Sequence, residues 1–352
     1  MDIGIIGGGI NGLCCAWQLA AAGNQVTVYE RDNIVQATSR ASSKLLHGGL
    51  RYLENGEFRL VREALRERDA WLQRTPEHAW PIRIVLPIYR RSHRVRWKVA
   101  LGLVVYDQLS GRSILPKARW MTPKQMLQID PQLKSDELIG GYAFSDGQMD
   151  DYRLGLWVAE KARMLGVRIL EQHPVSAITE TGSLFVGTAV HAHEHLVNVA
   201  GPWAASLLEK SSLSSPYRLD LVRGSHILIR RKTSQAYLFE VPGERRIFFV
   251  LPWNGNTLVG TTEVRQNLED PVCCSPDEHS YLLKAHDWYF PTAQCETLET
   301  YAGVRPLLYS ATDPSRATRE YAIYSTGKLT TVFGGKWTTA LALARKVTRH
   351  LS

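Results

Sequence analysis

The amino-acid sequence predicts an α/β protein in which a domain built on a mostly antiparallel sheet is inserted into a domain built on a parallel sheet. Three observations lead to this fold class. A strand, a Gly-rich turn, a helix and a second strand follow one another at the N-terminus, and helix and strand patterns of the same kind return after residues 150 and 194. Between residues 217 and 264, apolar residues alternate with polar ones, which is typical of antiparallel strands.

The N-terminal segment DIGIIGGGINGLCCAWQLAAAGNQVTVYER carries a Gly-x-Gly-x-x-Gly turn between a buried strand and a helix. Gly7 permits the tight turn, Gly9 lets a pyrophosphate approach bare backbone, and Gly12 lets the helix pack closely on the strand. Glu30 ends the second strand, where a carboxylate accepts hydrogen bonds from an adenosine ribose and disfavours a 2′-phosphate. Such a turn can also serve packing alone, but the complete context favours a Rossmann-like dinucleotide site.

The sequence contains no second unit of this kind. The nearest segment, VFGGKWTTALALARK, has adjacent glycines instead of the spaced ones. One permanently bound dinucleotide therefore fits better than two, which favours FAD over a nicotinamide cofactor. No motif for covalent attachment is evident, so we expect the FAD to be bound non-covalently.

Length and charge narrow the class of partner. The chain has 352 residues, enough for about two domains, and its 44% apolar content excludes disordered and fibrous classes. A net charge of +8 and a pI near 9.2 favour an anionic partner, which is a phosphorylated substrate, an anionic membrane surface or nucleic acid. Charge alone does not choose among these three.

The cysteines and histidines show neither disulfide nor metal spacing. The five cysteines fit no such framework, and we expect Cys14 and Cys15 to pack in the core of the first helix. The HAHEH stretch at 191–195 is interpreted as a polar surface, so we predict no metal. Because a buried strand begins at Asp2, we expect no signal peptide, and no apolar run reaches the roughly 18 residues that span a bilayer. These features predict a reducing, cytoplasmic compartment.

The rest of the chain divides between the two predicted domains. A charged helix is predicted over Leu60–Leu72, a helix, turn and strand over Asp150–Ile178, a strand, turn and helix over 194–210, and a final helix from Thr338. These units assign residues to a discontinuous nucleotide domain and a substrate-binding domain. The nucleotide domain comprises 1–80, 141–210 and 321–352, and the substrate-binding domain comprises 81–140 and 211–320. In such a fold the reactive part of the cofactor lies at the junction of the domains.

Residues 90–106 combine basic, aromatic and apolar side chains. This pattern is typical of a helix that lies on a membrane surface, and it is equally consistent with a core helix that has a solvated basic flank. Only residues 90–98 offer the interleaved basic and aromatic pattern that nucleic-acid binding requires, so we expect no nucleic-acid partner.

Seven short motifs occur in a fixed order along the chain: ATSRASSKLLHGGLRYLE, NVAGPWA, RGSHILI, GTTE, YAGVRPL, ATREY and VFGGKWTT. In this order and spacing they resemble the FAD-dependent glycerol-3-phosphate dehydrogenases, a family of the glycine oxidase/D-amino-acid oxidase superfold. The resemblance covers essentially the whole chain, from Asp2 to the final helix. Family members usually continue into a helical domain that this sequence does not include, and Thr179–Val190 is short for the family.

The resemblance implies which residues contact FAD. They come from the glycine turn, from the loop that precedes Arg51, and from two later glycine-containing turns. The implied residues are Gly7, Gly9, Asn11, Gly12, Glu30, Ser39, Ser42, Ser43, Lys44, His47, Gly48, Gly49, Ala200, Gly201, Trp203, Gly334, Gly335, Lys336, Trp337 and Thr338. A loop rich in Gly and Ser can also simply cap the helix that begins near Glu57, but that role does not explain the concentration of Lys44, His47 and Arg51.

The resemblance also implies the substrate contacts, which are Arg51, Tyr52, Arg305 and Arg319. A phosphate dianion is best held by several guanidinium forks, although a single arginine in so basic a chain is usually a solvated surface group. We expect a rigid turn to hold Arg305 before its proline, and Arg319 to begin the strand that returns to the cofactor.

The predicted catalytic residues are His226, Lys336 and Arg305. A lone histidine in a strand is more often structural, but oxidation of a secondary alcohol requires a group that takes the hydroxyl proton. In the hypothesis, His226 takes the proton from the C2 hydroxyl while a hydride passes from C2 to flavin N5. Lys336, expected at a helix start, stabilises the developing negative charge.

The predicted function is therefore the FAD-dependent oxidation of glycerol 3-phosphate to dihydroxyacetone phosphate, with electrons passed to a quinone-type acceptor. Two alternatives stay open at this stage. One is an oxidase or dehydrogenase of another small 2-hydroxy acid or amino acid on the same fold, since arginines also bind carboxylates. The other is a basic binding module without catalysis. The resemblance also implies peripheral contact with the cytoplasmic face of the membrane through residues 90–106.

Overall fold

The computed structural model describes residues 1–293, 295–309 and 321–351. Along these residues the strands are β1 (Asp2–Ile6), β2 (Gln25–Tyr29), β3 (Leu45–Leu46), β4 (Ala79–Tyr89), β5 (Arg119–Met121), β6 (Leu138–Met149), β7 (Arg168–Leu170), β8 (Val175–Ile178), β9 (Ser183–Val186), β10 (Ala189–Ala192), β11 (His195–Asn198), β12 (Leu219–Ile229), β13 (Ala236–Glu240), β14 (Ile247–Trp253), β15 (Asn256–Gly260), β16 (Val264–Arg265), β17 (Thr297–Leu308), β18 (Tyr321–Thr326) and β19 (Leu329–Gly334). The helices are α1 (Ile10–Ala21), α2 (Phe58–Arg74), α3 (Arg96–Ser110), α4 (Pro123–Ile129), α5 (Asp151–Met164), α6 (Ala204–Lys210), α7 (Pro276–Tyr289) and α8 (Ala340–Leu351), with the short 3-10 helices η1 (Leu50–Asn55) and η2 (Gly201–Trp203).

The first sheet is the parallel sheet that the sequence predicts. Over the described residues it has six strands in the order β18-β19-β11-β1-β2-β7, and only the β18–β19 pair is antiparallel. The apolar strand β1 packs against α1, which in turn contacts α5 and α8. Cys14 and Cys15 in α1 are fully buried in this core, as expected.

The second sheet is mostly antiparallel, which confirms the predicted fold class. Its main path runs β16-β12-β15-β14-β13-β4-β6-β3, with β17 paired along β12 and β5 along β6. The β13–β4 pair is parallel. One face packs against α2 and α3, and the other packs against α4 and α7. The long pairing of β12 with β17 brings residues 219–229 beside 297–308.

The sheet membership of β6 moves one part of the predicted domain boundary. Residues 141–149, which the sequence-based boundary assigns to the nucleotide domain, lie in β6 and pair with β4 of the second sheet. The division of the chain into two domains otherwise stays a prediction. A third, smaller sheet consists of β8, β9 and β10, of which β8 contacts α6.

Two further observations concern the helices. The final helix begins at Ala340 instead of Thr338, so residues 335–339 form a loop between β19 and α8. Among the helices in the described ranges, none combines the length and the apolar character that crossing a bilayer requires.

Candidate active site

The glycine turn after β1 forms a cradle at the carboxyl ends of the parallel strands. Gly7 has a φ of 110°, and a Cβ added there would lie 2.6 Å from the carbonyl oxygen of Val199. A Cβ on Gly12 would overlap the carbonyl oxygen of Gly7, so helix α1 can lie against the turn only with glycine at this position. Gly9, the N-cap residue, has no side chain that could cap α1, the first turn has no acidic residue, and within the described residues Ser39 takes up the N–H of Ile10 only. The helix N-terminus therefore presents backbone donors and a positive dipole end to an anion.

A cavity of about 600 Å³ lies in front of this cradle. Glu30, directly after β2, lies at its edge and accepts hydrogen bonds from the backbone N–H groups of Gly8 (2.6 Å) and Asp32 (2.9 Å). Asn11 also lines the cavity, and its side-chain oxygen is buried without a hydrogen-bond partner among the described residues. The helix N-terminus with its glycine turn, the carboxylate at the end of β2 and this amide fit the pyrophosphate and ribose of a dinucleotide such as FAD.

The Gly/Ser-rich loop is hydrogen-bonded to two segments that follow strands of the nucleotide sheet. The hydroxyl of Ser39 accepts a hydrogen bond from the backbone N–H of Ile10 (2.9 Å), and its carbonyl accepts one from the indole N–H of Trp337 (2.7 Å). The backbone N–H of His47 donates to the hydroxyl of Thr338 (3.3 Å). The loop is therefore held between the start of α1 and the segment before α8, where it borders the nucleotide cavity.

Lys44 has a different place in this loop from the one the resemblance implies. Its side chain is almost fully buried, and its ammonium donates to the carboxylate of Asp151 at the start of α5 (2.6 Å) and to the carbonyl of Arg40 (2.8 Å). The hydroxyl of Ser42 bonds the other carboxylate oxygen of Asp151 (2.6 Å). These bonds hold the loop on α5. The ion pair with Asp151 does not support the predicted direct contact between the Lys44 side chain and FAD.

A buried polar network supports the loop at Gly48. The backbone N–H of Gly48 donates to the hydroxyl of Tyr106 on α3 (2.8 Å), which donates to the carboxylate of Asp146 on β6 (2.9 Å). Arg68 on α2 completes the network through a hydrogen bond to Asp146 (2.9 Å), and its other guanidinium nitrogen reaches Ser110 at the end of α3 (2.8 Å). Burial raises the pKa of Asp146, an effect that Arg68 opposes. Helices α2 and α3 and strand β6 therefore position the backbone of Gly48, next to His47.

A second cavity, of about 230 Å³, lies between the loop and the second sheet. Many of the predicted site residues border one of the two cavities. The first is lined by Gly7, Gly9, Asn11, Glu30, Ser39, Ala200, Gly201, Trp203, Gly334, Gly335, Lys336 and Trp337. The second is lined by Ser42, Ser43, His47, Gly49, Arg51, Tyr52, His226, Arg305, Gly335, Lys336, Trp337 and Thr338. Gly12, Lys44 and Gly48 line neither cavity, and Arg319 lies outside the described residues.

His226 lies on β12, as expected, and only 3% of its surface is exposed. Its Nε2 lies 2.9 Å from the hydroxyl oxygen of Ser43, and its ring stacks on Tyr301 with centroids 4.8 Å apart. Burial, with smaller contributions from Arg305 and Lys44, lowers the pKa of His226 to about 3. The imidazole is therefore neutral at physiological pH, and it lines the cavity together with Ser43.

The structure corrects the predicted setting of Arg305. The AGVRP segment is not a turn but part of strand β17, in which Arg305 pairs with Val222 of β12. Pairing with a long neighbouring strand therefore holds the backbone of Arg305. Its guanidinium donates to the carbonyl oxygen of Thr262 (2.7 Å), which anchors the side chain at the cavity wall.

Glu263 is a site residue that the sequence analysis did not identify. Its carboxylate lies 3.5 Å from Arg51 and 3.9 Å from Arg305, and 3.7 Å from a further arginine, Arg246 on the segment before β14. Glu263 belongs to the GTTE motif that contributes to the family resemblance, which was the signal available for it. Arg246 stands in a run of basic residues, where nothing in the sequence distinguishes it.

Lys336 lies in the loop before α8, four residues ahead of the helix, and not at the helix start where it was expected. Its ammonium lies over the ring of Tyr52, 4.7 Å from the ring centroid. Lys336 lines both cavities and therefore lies where they meet. We call the second one the cationic cavity, because Arg51, Arg305 and Lys336 line it. No group of His, Cys, Asp and Glu within the described ranges is arranged to hold a metal ion.

Comparison with known proteins agrees with this arrangement. A family model described as DAO, FAD dependent oxidoreductase, matches residues 2–349. The chain is 38% identical to D-erythritol 1-phosphate dehydrogenase of Brucella abortus over 98% of its own length and 72% of that protein. It is also 38% identical to glycerol-3-phosphate dehydrogenase of Pseudomonas tolaasii, over 100% of its own length and 71% of that protein.

A solved structure shows the same fold. The glycerol-3-phosphate dehydrogenase of Bacillus halodurans complexed with FAD aligns with a TM-score of 0.79 at 24% identity, covering 100% of this chain and 64% of that one. The family match decides against the alternative of a binding module without catalysis. The chain belongs to the family of FAD-dependent oxidoreductases, and FAD is its cofactor.

Proposed function

We propose that this protein oxidises the secondary alcohol of a small polyol phosphate, with glycerol 3-phosphate as the first candidate and dihydroxyacetone phosphate as its product. The observation that carries the proposal is the cavity shared by Arg51, Arg305, Lys336 and His226, which borders the nucleotide cradle. Guanidinium forks bind a phosphate dianion through paired charge-assisted hydrogen bonds. Glu263 lies near Arg51 and Arg305 and orients both guanidinium groups at the cavity wall.

FAD, when bound, takes up the two electrons and the hydrogen that leave the substrate carbon. The glycine turn, Asn11, Glu30 and the loop from Ser39 to Gly49 would hold it, because these residues line the two cavities or support their walls. Lys336, at the border of the cavities, would stabilise negative charge that develops there.

We propose a path for the hydroxyl proton along this chain's own residues. Ser43 lines the cavity, and its Oγ lies 2.9 Å from Nε2 of the almost fully buried His226. The neutral imidazole offers Nε2 as an acceptor for the Ser43 hydroxyl in the tautomer that carries its hydrogen on Nδ1, and because the low pKa makes it a weak base, the proton transfer has to be concerted with departure of the hydride. Ser43 Oγ then accepts the proton of the substrate hydroxyl. We therefore assign Ser43 as the relay and His226 as the terminal proton acceptor.

A second substrate has specific support. The similarity to D-erythritol 1-phosphate dehydrogenase equals the similarity to the glycerol-3-phosphate enzyme, at 38% identity each. Both compounds carry a phosphate group and at least one secondary hydroxyl, so the same cationic cavity suits either. The two therefore have to be compared directly on the same preparation.

The test is anaerobic bleaching of the flavin absorbance in the purified holoenzyme. Glycerol 3-phosphate, D-erythritol 1-phosphate, lactate, 2-hydroxyglutarate and glycine are added in separate cuvettes. We expect rapid bleaching by a polyol phosphate only, and a loss of at least about 100-fold in kcat/KM for Arg305→Ala because a buried charge contact is removed. Arg230→Ala is the control, since this exposed arginine lies at the far end of β12, where it pairs with Glu296. Bleaching by a carboxylate substrate instead would contradict the proposal.

We further propose a quinone-type electron acceptor and peripheral contact with an anionic bilayer through residues 90–106. Helix α3 packs Val99 and Leu103 inward, yet its outer face exposes Trp97 (64%), Leu101 (57%) and Val104 (53%). An exposed apolar face flanked by basic residues is typical of a helix that lies in a membrane surface.

This attachment is tested by flotation with vesicles that contain or lack phosphatidylserine. The protein is expected to float with the anionic vesicles, and the Trp97→Gln, Leu101→Gln double variant is expected to remain at the bottom. Ile114→Gln, at an exposed apolar residue outside the helix, serves as the control. Equal flotation of the double variant and the wild type would refute the contact.

A further inference from the structure

We infer that Glu278, which lines neither cavity, is a positioning residue that holds the substrate side of the active site in register. The inference rests on the proposed function. Glu278 lies in the first turn of α7 and is 5% exposed. One carboxylate oxygen accepts hydrogen bonds from the hydroxyls of Ser225 (2.8 Å) and Thr262 (2.6 Å). The other accepts from the guanidinium of Arg223 (3.0 Å) and from the backbone N–H of Ser275 (3.1 Å).

These bonds reach the residues to which the reaction is assigned. Ser225 directly precedes His226 on β12, and Thr262 directly precedes Glu263 after β15. The carbonyl of Thr262 is also the acceptor for Arg305 (2.7 Å). The Glu278 carboxylate therefore binds the backbone segments that carry His226 and Glu263. Through the carbonyl of Thr262 it also supports Arg305.

A helix cap alone does not account for this arrangement. Ser275 and Glu278 form a capping box, and so do Thr122 and Gln125 at the start of α4. Gln125 is exposed, and among the described residues its side-chain oxygen accepts bonds from Thr122 alone. Glu278 is buried and collects three further donors from β12 and from the segment after β15, which a cap does not require. A buried carboxylate is costly unless it is fully hydrogen-bonded, so this site is built around the charge.

The charge of Glu278 is maintained in the fold. Burial alone raises its pKa, but the hydrogen bonds from Thr262, Ser225, Ser275 and Arg223 outweigh burial and leave the pKa below its ordinary value. The carboxylate is thus ionised at physiological pH and accepts all of these donors together. An amide in its place keeps one acceptor oxygen and brings an N–H group against the same donors.

The effect of Glu278→Gln is expected in catalysis and not in cofactor binding. Loosening Thr262 shifts Arg305 and Glu263, and a misplacement of about 1 Å at a reacting group costs up to roughly 100-fold in rate. We expect anaerobic flavin reduction by a polyol phosphate to slow by about tenfold or more, with FAD content unchanged because the cradle lies on the other sheet. Thr262→Val should slow reduction in the same way, whereas Thr262→Ser, which keeps the hydroxyl, should restore it.

Ser275→Ala is the matched control, because it removes the cap hydroxyl and leaves the bonds of Glu278 to Ser225, Thr262 and Arg223. It is expected to lower the melting temperature while flavin reduction stays at the wild-type rate. Two results would overturn the inference: a wild-type reduction rate in both Glu278→Gln and Thr262→Val, or a loss in Ser275→Ala as large as in Glu278→Gln.

Binding of inorganic phosphate to the holoenzyme separates this inference from the proposed function. If no polyol phosphate reduces the wild-type flavin, the proposed function fails, and calorimetric phosphate affinity then decides the role of Glu278. Weaker phosphate binding in Glu278→Gln and Thr262→Val than in Ser275→Ala supports the positioning role. Equal binding in the three variants contradicts it.

Discussion

The nucleotide cradle and the cationic cavity lie side by side, but they are built in opposite ways. Most of the cradle comes from one run of about thirty residues, in which Gly7, Gly12 and Glu30 meet through a single strand–helix–strand unit. The cationic cavity joins His226 and Arg305, whose strands β12 and β17 pair, with Ser43 from the loop before β3. A defect in the cradle should therefore abolish cofactor binding, whereas a defect in the cavity should spare the cofactor and slow the reaction.

The largest effect is expected from Gly12→Ala in the cradle. The new Cβ would overlap the carbonyl oxygen of Gly7, so α1 must move away from the turn that faces the pyrophosphate. We expect loss of bound FAD, measured as the ratio of flavin to protein absorbance after purification. Gly102→Ala in α3 is the matched control, because a Cβ there meets nothing within 4 Å and alanine favours a helix. A normal flavin content in Gly12→Ala would show that the cradle tolerates displacement.

In the cavity, Ser43→Ala should slow flavin reduction and leave FAD in place. Loss of a proton relay typically costs about 100-fold in rate, and a direct path to the nearby His226 would reduce that cost to roughly tenfold. The measurement is the limiting rate of anaerobic flavin reduction at saturating polyol phosphate, with KM little changed. Ser211→Ala is the control, because this hydroxyl bonds the backbone of Leu207 and Ile178 away from both cavities. An unchanged limiting rate would remove Ser43 from the proton path.

A smaller effect is expected where the cavity side supports the cofactor loop. Tyr106→Phe removes the hydroxyl that accepts the N–H of Gly48 and leaves Asp146 at 3.4 Å as its remaining partner. We expect a severalfold slower flavin reduction and a shifted flavin absorbance band. Tyr89→Phe removes a similarly buried hydroxyl bond, to the carbonyl of Lys134, away from both cavities. If both variants lose only stability and to the same extent, Tyr106 has no specific influence on the loop.

The smallest effect concerns pH. Because the pKa of His226 is lowered from 6.5 to about 3, flavin reduction should show no inflection near pH 6.5 that depends on this residue. Between pH 6.5 and pH 3, His226 binds a proton in the unfolded chain but not in the folded chain. The free energy of unfolding therefore decreases as the pH falls below 6.5. The slope is at most about 1.4 kcal/mol per pH unit. Urea unfolding at pH 7 and pH 5 should show that the free energy of unfolding decreases less in His226→Gln than in the wild type. An equal decrease in both proteins would mean that the pKa of His226 lies near its ordinary value.

The sequence alone was sufficient for the parts of the molecule in which neighbours along the chain are also neighbours in space. The glycine turn, the acid after β2, the alternating strands and the buried Cys14 and Cys15 all follow from local patterns whose physical reason is steric or hydrophobic. The setting of Arg305 was wrong for the opposite reason. A valine–arginine–proline segment looks like a turn until β12 is known to pair with β17 along its length.

Tertiary structure was needed wherever a side chain acquires its role from partners far along the chain. Glu263 is an ordinary acid in the sequence, and becomes a site residue only when Arg51, Arg246 and Arg305 surround it. The serine–glutamate spacing at Ser275 indicates a helix cap, but nothing local shows that the same carboxylate binds β12 and the segment after β15. Side-chain burial, charge pairing and pKa depend on distances between distant segments, and a linear sequence does not contain those distances.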